Sequence, residues 1–477
     1  MMVLGVACCM LLLTSAALQA QEIMPVTTAS PEAKEHFTQG MQQFEAFHFP
    51  QAIEHLKKAV ELDPDFAIAY LYLSSAKGQG SLDSKYLDKA VEVADKATKG
   101  EQHIIHYARA MYDGDQKAIE KHRNILADMF PQDEIVHQWV SMSYYMDEDY
   151  PQAIRHLTKA AEINPDFHPA YNMLGYCYMG EGDMKKAEKY FKKYLEMLPD
   201  NANAQDSYAE FLLRNGKFSE SIEHYNKALE INPDYAISHK GLADNYLFLG
   251  NFMKARKHYQ AYADNNSSNS GKFSGLIYEA SVDLHENNPE SAIRTIDKYI
   301  QMAEDMDMPY YKILGITYKG HILTESGKPN EGIQHYRKAM EMVETAELPI
   351  TMKENLNMQA HLWEFYGLVS NGDMEAAEQA RLKCKEDLRI NNNPNNWKTY
   401  YQIYGIMQLH KGLYDQARQN LAQAWDSPRT WYYTGLTWEK EGNRSKARQW
   451  YQKVAYHYEN TLELGEVRNR AVAGLGE

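Results

Sequence analysis

Between His168 and Asn201 the hydrophobic positions fall into two bursts around a glycine turn: "HPAYNMLGYCYMGEGDMKKAEKYFKKYLEMLPDN". Tyr171, Leu174, Gly175 and Tyr178 stand at i, i+3, i+4 and i+7, which places them on one face of a helix. Gly182-Asp183 breaks the pattern and turns the chain. Ala187, Phe191 and Tyr194 then form the matching face of a second, antiparallel helix. Gly175 and Ala187 are small where the two helices are expected to cross most closely. The closing "LPDN" ends the second helix, because proline lacks a backbone donor and pushes its predecessor out of the α region.

The pattern repeats. Ala153, Ala187, Ser221 and Ala255 are spaced 34 residues apart, and Pro165, Pro199 and Pro233 keep the same interval. Ala52 and Pro64 lie 101 residues before Ala153 and Pro165, almost three periods. Self-similarity at this period marks an array of stacked supersecondary units. The units 33–66, 134–167, 168–201, 202–235 and 236–269 are regular; looser ones centre on Ala292, Gly332, Ala377 and Ala417, with spacing stretched to between 37 and 45 residues. Residues 67–133 are the least regular: Tyr70 and Leu73 start a unit that "GQGSLDSKYLD" interrupts before Ala90, and "EQHIIHYARAMYDGDQKAIEKHRNILADMFPQDE" closes the region. The count is ten clear units and two degenerate ones.

These residues resemble the tetratricopeptide repeat, W-x2-L-G-x2-Y, then A-x3-F, then P. Unit 168–201 matches it with Tyr171, Leu174, Gly175, Tyr178, Ala187, Phe191 and Pro199, and a tryptophan-bearing match ends the array at Trp431, Gly435, Trp438, Ala447 and Tyr451. The resemblance implies an all-α fold, a right-handed superhelical solenoid of antiparallel helix pairs, over nearly everything after residue 32. It also implies a protein-binding role. The expected organisation is a signal peptide at 1–20 and a short linker at 21–32. Partly degenerate repeats follow at 33–133, regular repeats at 134–269, divergent repeats with longer loops at 270–397, and final repeats with a capping helix at 398–477.

Composition narrows the function. A net charge of −15 opposes nonspecific binding to a phosphate backbone. "MMVLGVACCMLLLTSAALQA" is an uncharged apolar run of signal-peptide length ending in small residues, with cleavage expected between Ala20 and Gln21, although it lacks the usual basic n-region. It is short for a membrane span, and no second run approaches spanning length. Export to a bacterial periplasm or cell envelope is the expectation; lipidation at Cys8 or Cys9, making a lipid-anchored assembly factor, is the alternative. Cys177 and Cys384 are the remaining thiols and frame no disulfide scaffold.

Catalytic motifs do not assemble. "HENNP" at His285 starts like a zinc motif, but proline occupies the second ligand position; "GKFSG" at 271 lacks the rest of a phosphate loop. His103 and His106, at i and i+3, could share a metal, which makes an enzyme or metal-dependent activity in 67–133 the runner-up reading. His55, His156, His224, His258 and His335 recur at one repeat position and read as repeat surface or packing residues. Neither catalytic, cofactor nor metal residues are assigned, and no cofactor is expected.

In a solenoid of this kind the first helices line the concave side. The partner-facing residues are therefore expected to be Phe37, Met41 and Phe44; Gln138, Met142 and Tyr145; Asn172, Tyr176 and Met179; and, after Asp206, Glu210 and Leu213, the set Lys240, Asp244 and Phe248. Aromatic and methionine side chains with a few polar groups suit a protein or peptide partner. Some members of the family clamp a C-terminal carboxylate with Lys and Asn. Here Lys240 is suitably placed, but Asp244 stands where Asn is wanted and would repel that ligand.

Overall fold

The computed structural model describes residues 23–45, 49–76, 83–266, 268–391 and 394–476. The expected signal peptide, its cleavage point and the cysteines at 8 and 9 lie outside them. Among the described residues the chain is all-α, twenty-five α-helices and one short 3-10 turn without a strand. Within each of two compact units, helices follow one another as antiparallel pairs, a first helix crossing its own second helix and the next first helix stacking on that, as in His168–Gly180 with Met184–Met197 and Ala236–Phe248 with Phe252–Asp264. The chain divides into two compact units, one ending at Ser207 and one beginning at Tyr208, so the division falls inside helix Ala202–Arg214.

Local chemistry explains the pairs. In three of the regular repeats the first helix ends two residues before a left-handed glycine turn: Gly182, Gly216 and Gly250 have φ of 80°, 70° and 75°. Side chains pay a steric penalty there and glycine does not. The residue after the glycine often caps the second helix. Asp183 accepts the Lys186 amide at 3.1 Å, and Asn251 accepts that of Lys254 at 3.2 Å, satisfying donors that the helix itself leaves open. Gly175 is required by the crossing, since a Cβ there would lie 2.8 Å from the Phe191 ring. Ala187 is fully buried on the facing helix.

The stretched spacing after residue 269 has a different origin from the expected longer loops. Helices Asn269–His285, Pro289–Asp305, Pro309–Glu325 and Pro329–Thr345 have 17 residues each, against 13 and 14 in His168–Gly180 and Met184–Met197. The extra residues add about one turn to each helix, and the connections between these four remain three residues long.

The N-terminal segment does more than link. Residues 24–29 lie against the starts of successive first helices: the Met24 amide donates to Asp133 Oδ2 at 2.7 Å, Thr27 to Glu101 Oε1 at 2.7 Å, and Ala29 to Asp63 Oδ2 at 3.0 Å. Met24 and Val26 pack on the apolar core of that unit.

Candidate functional site

In the N-terminal unit the expected partner-facing residues divide by burial. Phe37 is buried between helix pairs, against Phe66 at 5.1 Å and Tyr72 at 5.7 Å, so it packs rather than faces outward. Met41 is half-buried against the same core, and Phe44 meets Phe49 and Tyr72 edge-on. Tyr145 leans edge-on against Tyr150 at 5.8 Å. Asn172 Nδ2 donates to Asn203 at 3.4 Å, and the Tyr176 hydroxyl donates to Ser207 at 3.4 Å while its ring meets Phe191 edge-on. These polar groups already knit one repeat to the next. Gln138 and Met179 are half-buried, whereas Met142 is 38% exposed. The sequence reading missed Met146, one turn further along Glu134–Met146 and 63% exposed; its i+4 spacing from Met142 was the available signal.

In the C-terminal unit Lys240 and Asp244 are consumed by each other. The ammonium lies 2.8 Å from Asp244 Oδ2, which leaves no free cation for a partner's carboxylate. Asp244 is buried, and the Tyr259 hydroxyl donates to it. Asn460 Nδ2 donates to that hydroxyl at 2.7 Å. Phe248 packs edge-on against Tyr458 at 5.3 Å, beneath the Arg468 guanidinium. Residues expected to face a partner therefore meet the chain's own C-terminal segment.

That segment was expected to cap the last repeat, and one of its faces does. Leu464, Val467, Ala471 and Leu475, at i, i+3, i+7 and i+11 of helix Leu462–Leu475, are buried with Trp431, Ala447, Tyr451 and Val454 of the last pair. The remainder runs along first helices and meets the start of the second helix Phe218–Ile231. Tyr458 stacks edge-on with Phe218 at 5.0 Å, and Arg214 donates to Glu459. Burial pushes the Glu459 carboxyl up, but Arg214 outweighs it and holds the group at about 2. Ser281 donates to Asn460 Oδ1 at 2.6 Å and approaches the Thr461 carbonyl at 2.9 Å. Gly465 allows the close crossing, since a Cβ there would lie 2.9 Å from Ser281 Oγ. Asn469 donates to the carbonyls of Leu284 and His285, which end helix Asn269–His285.

An ionic cluster, buried at Glu325, Arg429 and Glu466, completes the contact. Arg429 donates to Glu466 at 2.5 Å, and Arg470 donates to Glu325 at 2.6 Å. Glu463 accepts the Arg429 amide at 2.7 Å and the Ser427 hydroxyl at 2.6 Å. Three carboxylates thus surround two guanidinium groups. Burial, with Glu325 and Glu463 nearby, raises Glu466 to about 7 against the pull of Arg429. Glu466 Oε1 and Arg470 Nε are buried without a hydrogen-bond partner.

Histidines form a second recurrent feature. The Nδ1 atoms of His36 and His55 are 3.3 Å apart, those of His103 and His122 2.9 Å, His137 and His156 2.9 Å, and His239 and His258 3.2 Å. Each pair joins the first and second helices of one repeat at i and i+19. One ring must donate and the other accept, so at least one ring nitrogen between them is unprotonated. His106 approaches His122 at 5.7 Å, yet among the described residues no group of three His, Cys, Asp or Glu is arranged to hold a metal. His224 instead meets Tyr208 edge-on, and His335 Nδ1 contacts the Glu331 carbonyl. Cys177 and Cys384 are buried, and burial pushes each thiol up to about 12, out of the nucleophilic range. No described helix is long and apolar enough to cross a membrane.

Comparison with known proteins agrees with the repeat geometry. Tetratricopeptide-repeat family models match residues 144–211 and 200–265. No curated protein matches the chain. Among solved structures it is similar to the APC/C hetero-tetramer Cut9–Hcn1, with 14% identity and a TM-score of 0.43 over 92% of this chain and 76% of that one. It is also similar to a tetratricopeptide repeat protein from Parabacteroides merdae, with 18% identity and a TM-score of 0.33 over 55% of this chain and 99% of that one. With its pairs of helices, glycine turns and matched models, the chain carries tetratricopeptide repeats across residues 144–265.

Proposed function

We propose that this protein is an exported, non-catalytic scaffold that holds partner proteins or peptides on the concave, first-helix side of its repeats, in the bacterial periplasm or envelope. The observation that carries the binding reading is the exposed methionine pair Met142 and Met146, one turn apart on a first helix, with Gln138 one turn before them. Methionine is flexible and polarisable, and large apolar side chains left exposed in succession suit an apolar anchor on a partner. The export reading rests on the uncharged apolar run at residues 1–20.

Cross-linking in native cell envelopes, followed by mass spectrometry, tests both. A Met142→Glu/Met146→Glu variant with an unchanged helical spectrum should lose at least ~10-fold of partner capture, because each buried charge opposes an apolar contact. Capture of the same partners by parent and variant would move the binding surface elsewhere. The same spectra read the N-terminus: a chain starting at Gln21 supports cleavage, lipidated Cys8 or Cys9 an anchor, and a retained Met1 removes the export reading.

A further inference from the structure

The C-terminal segment of this protein has the geometry of a bound peptide. Between Tyr456 and Thr461 it is not helical, and its side chains reach three consecutive first helices: Glu459 meets Arg214, Tyr458 meets Phe248, and Asn460 meets Ser281. Thr461 then caps a helix by accepting the Leu464 amide at 3.0 Å. That helix lies in a cleft with two unlike walls. The wall from the last pair is largely apolar, with Trp431, Tyr451 and Val454, but also carries Arg429. The opposite wall is mixed: Ser281 and Glu325 are polar, while Leu462 packs on the Ala280, Leu284 and Ile322 cluster. Apolar anchors at i, i+3, i+7 and i+11 with polar fixings beside them are the signature of a helix held in a groove.

The polar wall also fits imperfectly for a permanent core. Buried polar atoms in native interiors are nearly always paired. Here Glu466 Oε1, Arg470 Nε and His285 Nε2 have no hydrogen-bond partner, three of thirteen such atoms among the described residues. Glu325 and Glu466 are buried beside Arg429, and removing such charged groups from water is costly. An interface of this composition resembles a reversible protein–peptide contact, whose hydrogen bonds and charges give specificity, more than an obligate apolar core.

We infer that the first-helix face of the C-terminal unit is a peptide-recognition site, kept closed by the chain's own Tyr458–Arg470. Its external partner is a protein segment of the same chemistry. Such a segment carries an aromatic, a carboxylate and an amide in succession, then a hydroxyl-capped amphipathic helix presenting Glu and Arg one turn apart. A partner bearing it displaces the resident segment. The inference rests on reading the chain as a protein-binding scaffold and names what one of its faces recognises.

The test keeps the full chain. A protease site inserted after Tyr456, which is 51% exposed, allows the folded protein to be nicked without removing anything. A fluorescent synthetic peptide of residues 457–477 is then added to nicked and uncut protein, and anisotropy is followed. The peptide should enter the nicked protein saturably and release the native fragment. It should bind the uncut chain at least ~100-fold more weakly, because the tethered segment competes at high effective concentration. A peptide carrying Glu459→Lys and Glu466→Lys should compete at least ~10-fold less well, since both changes oppose arginines. Release of the fragment only on global unfolding, monitored by circular dichroism, would make the segment ordinary core and overturn the inference. Equal competition by the charge-reversed peptide would overturn the recognition chemistry. Neither outcome touches partner capture at Met142 and Met146, so this inference and the scaffold reading fail separately.

Discussion

At the scale of single residues, the repeat is governed by where a side chain can and cannot fit. Gly175 faces the Phe191 ring so closely that any Cβ must displace it. Gly175→Val should therefore destabilise the chain by about 1–3 kcal/mol, read from the urea midpoint of unfolding. The turn after the first helix makes the opposite case. Where Gly182, Gly216 and Gly250 take positive φ, the repeat at 134–167 has Glu148 at φ 59°. A non-glycine residue in that conformation costs about 1 kcal/mol. Glu148→Gly should raise the thermal midpoint of the repeat, whereas Gly182→Glu should lower it; a fall in the first would show that the Glu148 side chain contributes something the backbone does not.

At the scale of elements, helix ends and straps share the same carboxylates. Asp133 caps helix Glu134–Met146 through the Ile135 and Val136 amides at 2.9 and 3.0 Å, and its second oxygen accepts the Met24 amide. Asp183 caps Met184–Met197 with no such second element. Losing a simple cap costs about 1 kcal/mol, and leaving another buried donor unpaired adds about 1–3 kcal/mol. Asp133→Ala should thus cost measurably more than Asp183→Ala in parallel denaturation curves. It should also increase hydrogen exchange at Met24 and Thr27, where the strap would lift. Equal costs and an undisturbed strap would reduce Asp133 to a cap alone.

At the scale of the whole molecule, the histidine pairs contribute to its response to acid, alongside the buried His285 and His321, which burial also lowers. Burial lowers His156, His122 and His258 to about 4, helped in each case by the partner histidine. Nearby cations push the same way: Arg155 and Arg123 act on His156, Lys121 on His122, Lys257 and Lys254 on His258. Tyr144 and Tyr246 stack on His156 and His258. An unfolded histidine titrates near 6.5, so as pH falls below that value the unfolded chain takes up protons first. Stability from these pairs is complete above about pH 6.5 and is lost progressively towards pH 4. Chemical denaturation at pH 7.5, 6 and 5 should show this decline, and His122→Gln/His156→Gln/His258→Gln should make it shallower. An unchanged slope in the triple variant would assign the acid response to other groups.

What the sequence determined by itself is what lies within one period. The 34-residue spacing, the glycine turn, the proline stop and the small residues at Gly175 and Ala187 follow from helix geometry over one helix pair, where the partners are sequence neighbours. The recurring histidines on second helices were legible as repeat surface or packing residues. Their pairing at i+19 was not, because it depends on how two antiparallel helices cross. In the stretched repeats, spacing alone could not assign the added residues to helix or loop. Longer-range choices came only from tertiary structure. The strap from Met24 to Ala29 and the segment from Tyr458 to Arg470 have no repeat period, and their partners lie up to 245 residues away in sequence. Which first helices such a segment meets depends on the small rotation that each stacked pair adds to the last. Local periodicity does not carry that sum, and folding alone decides it.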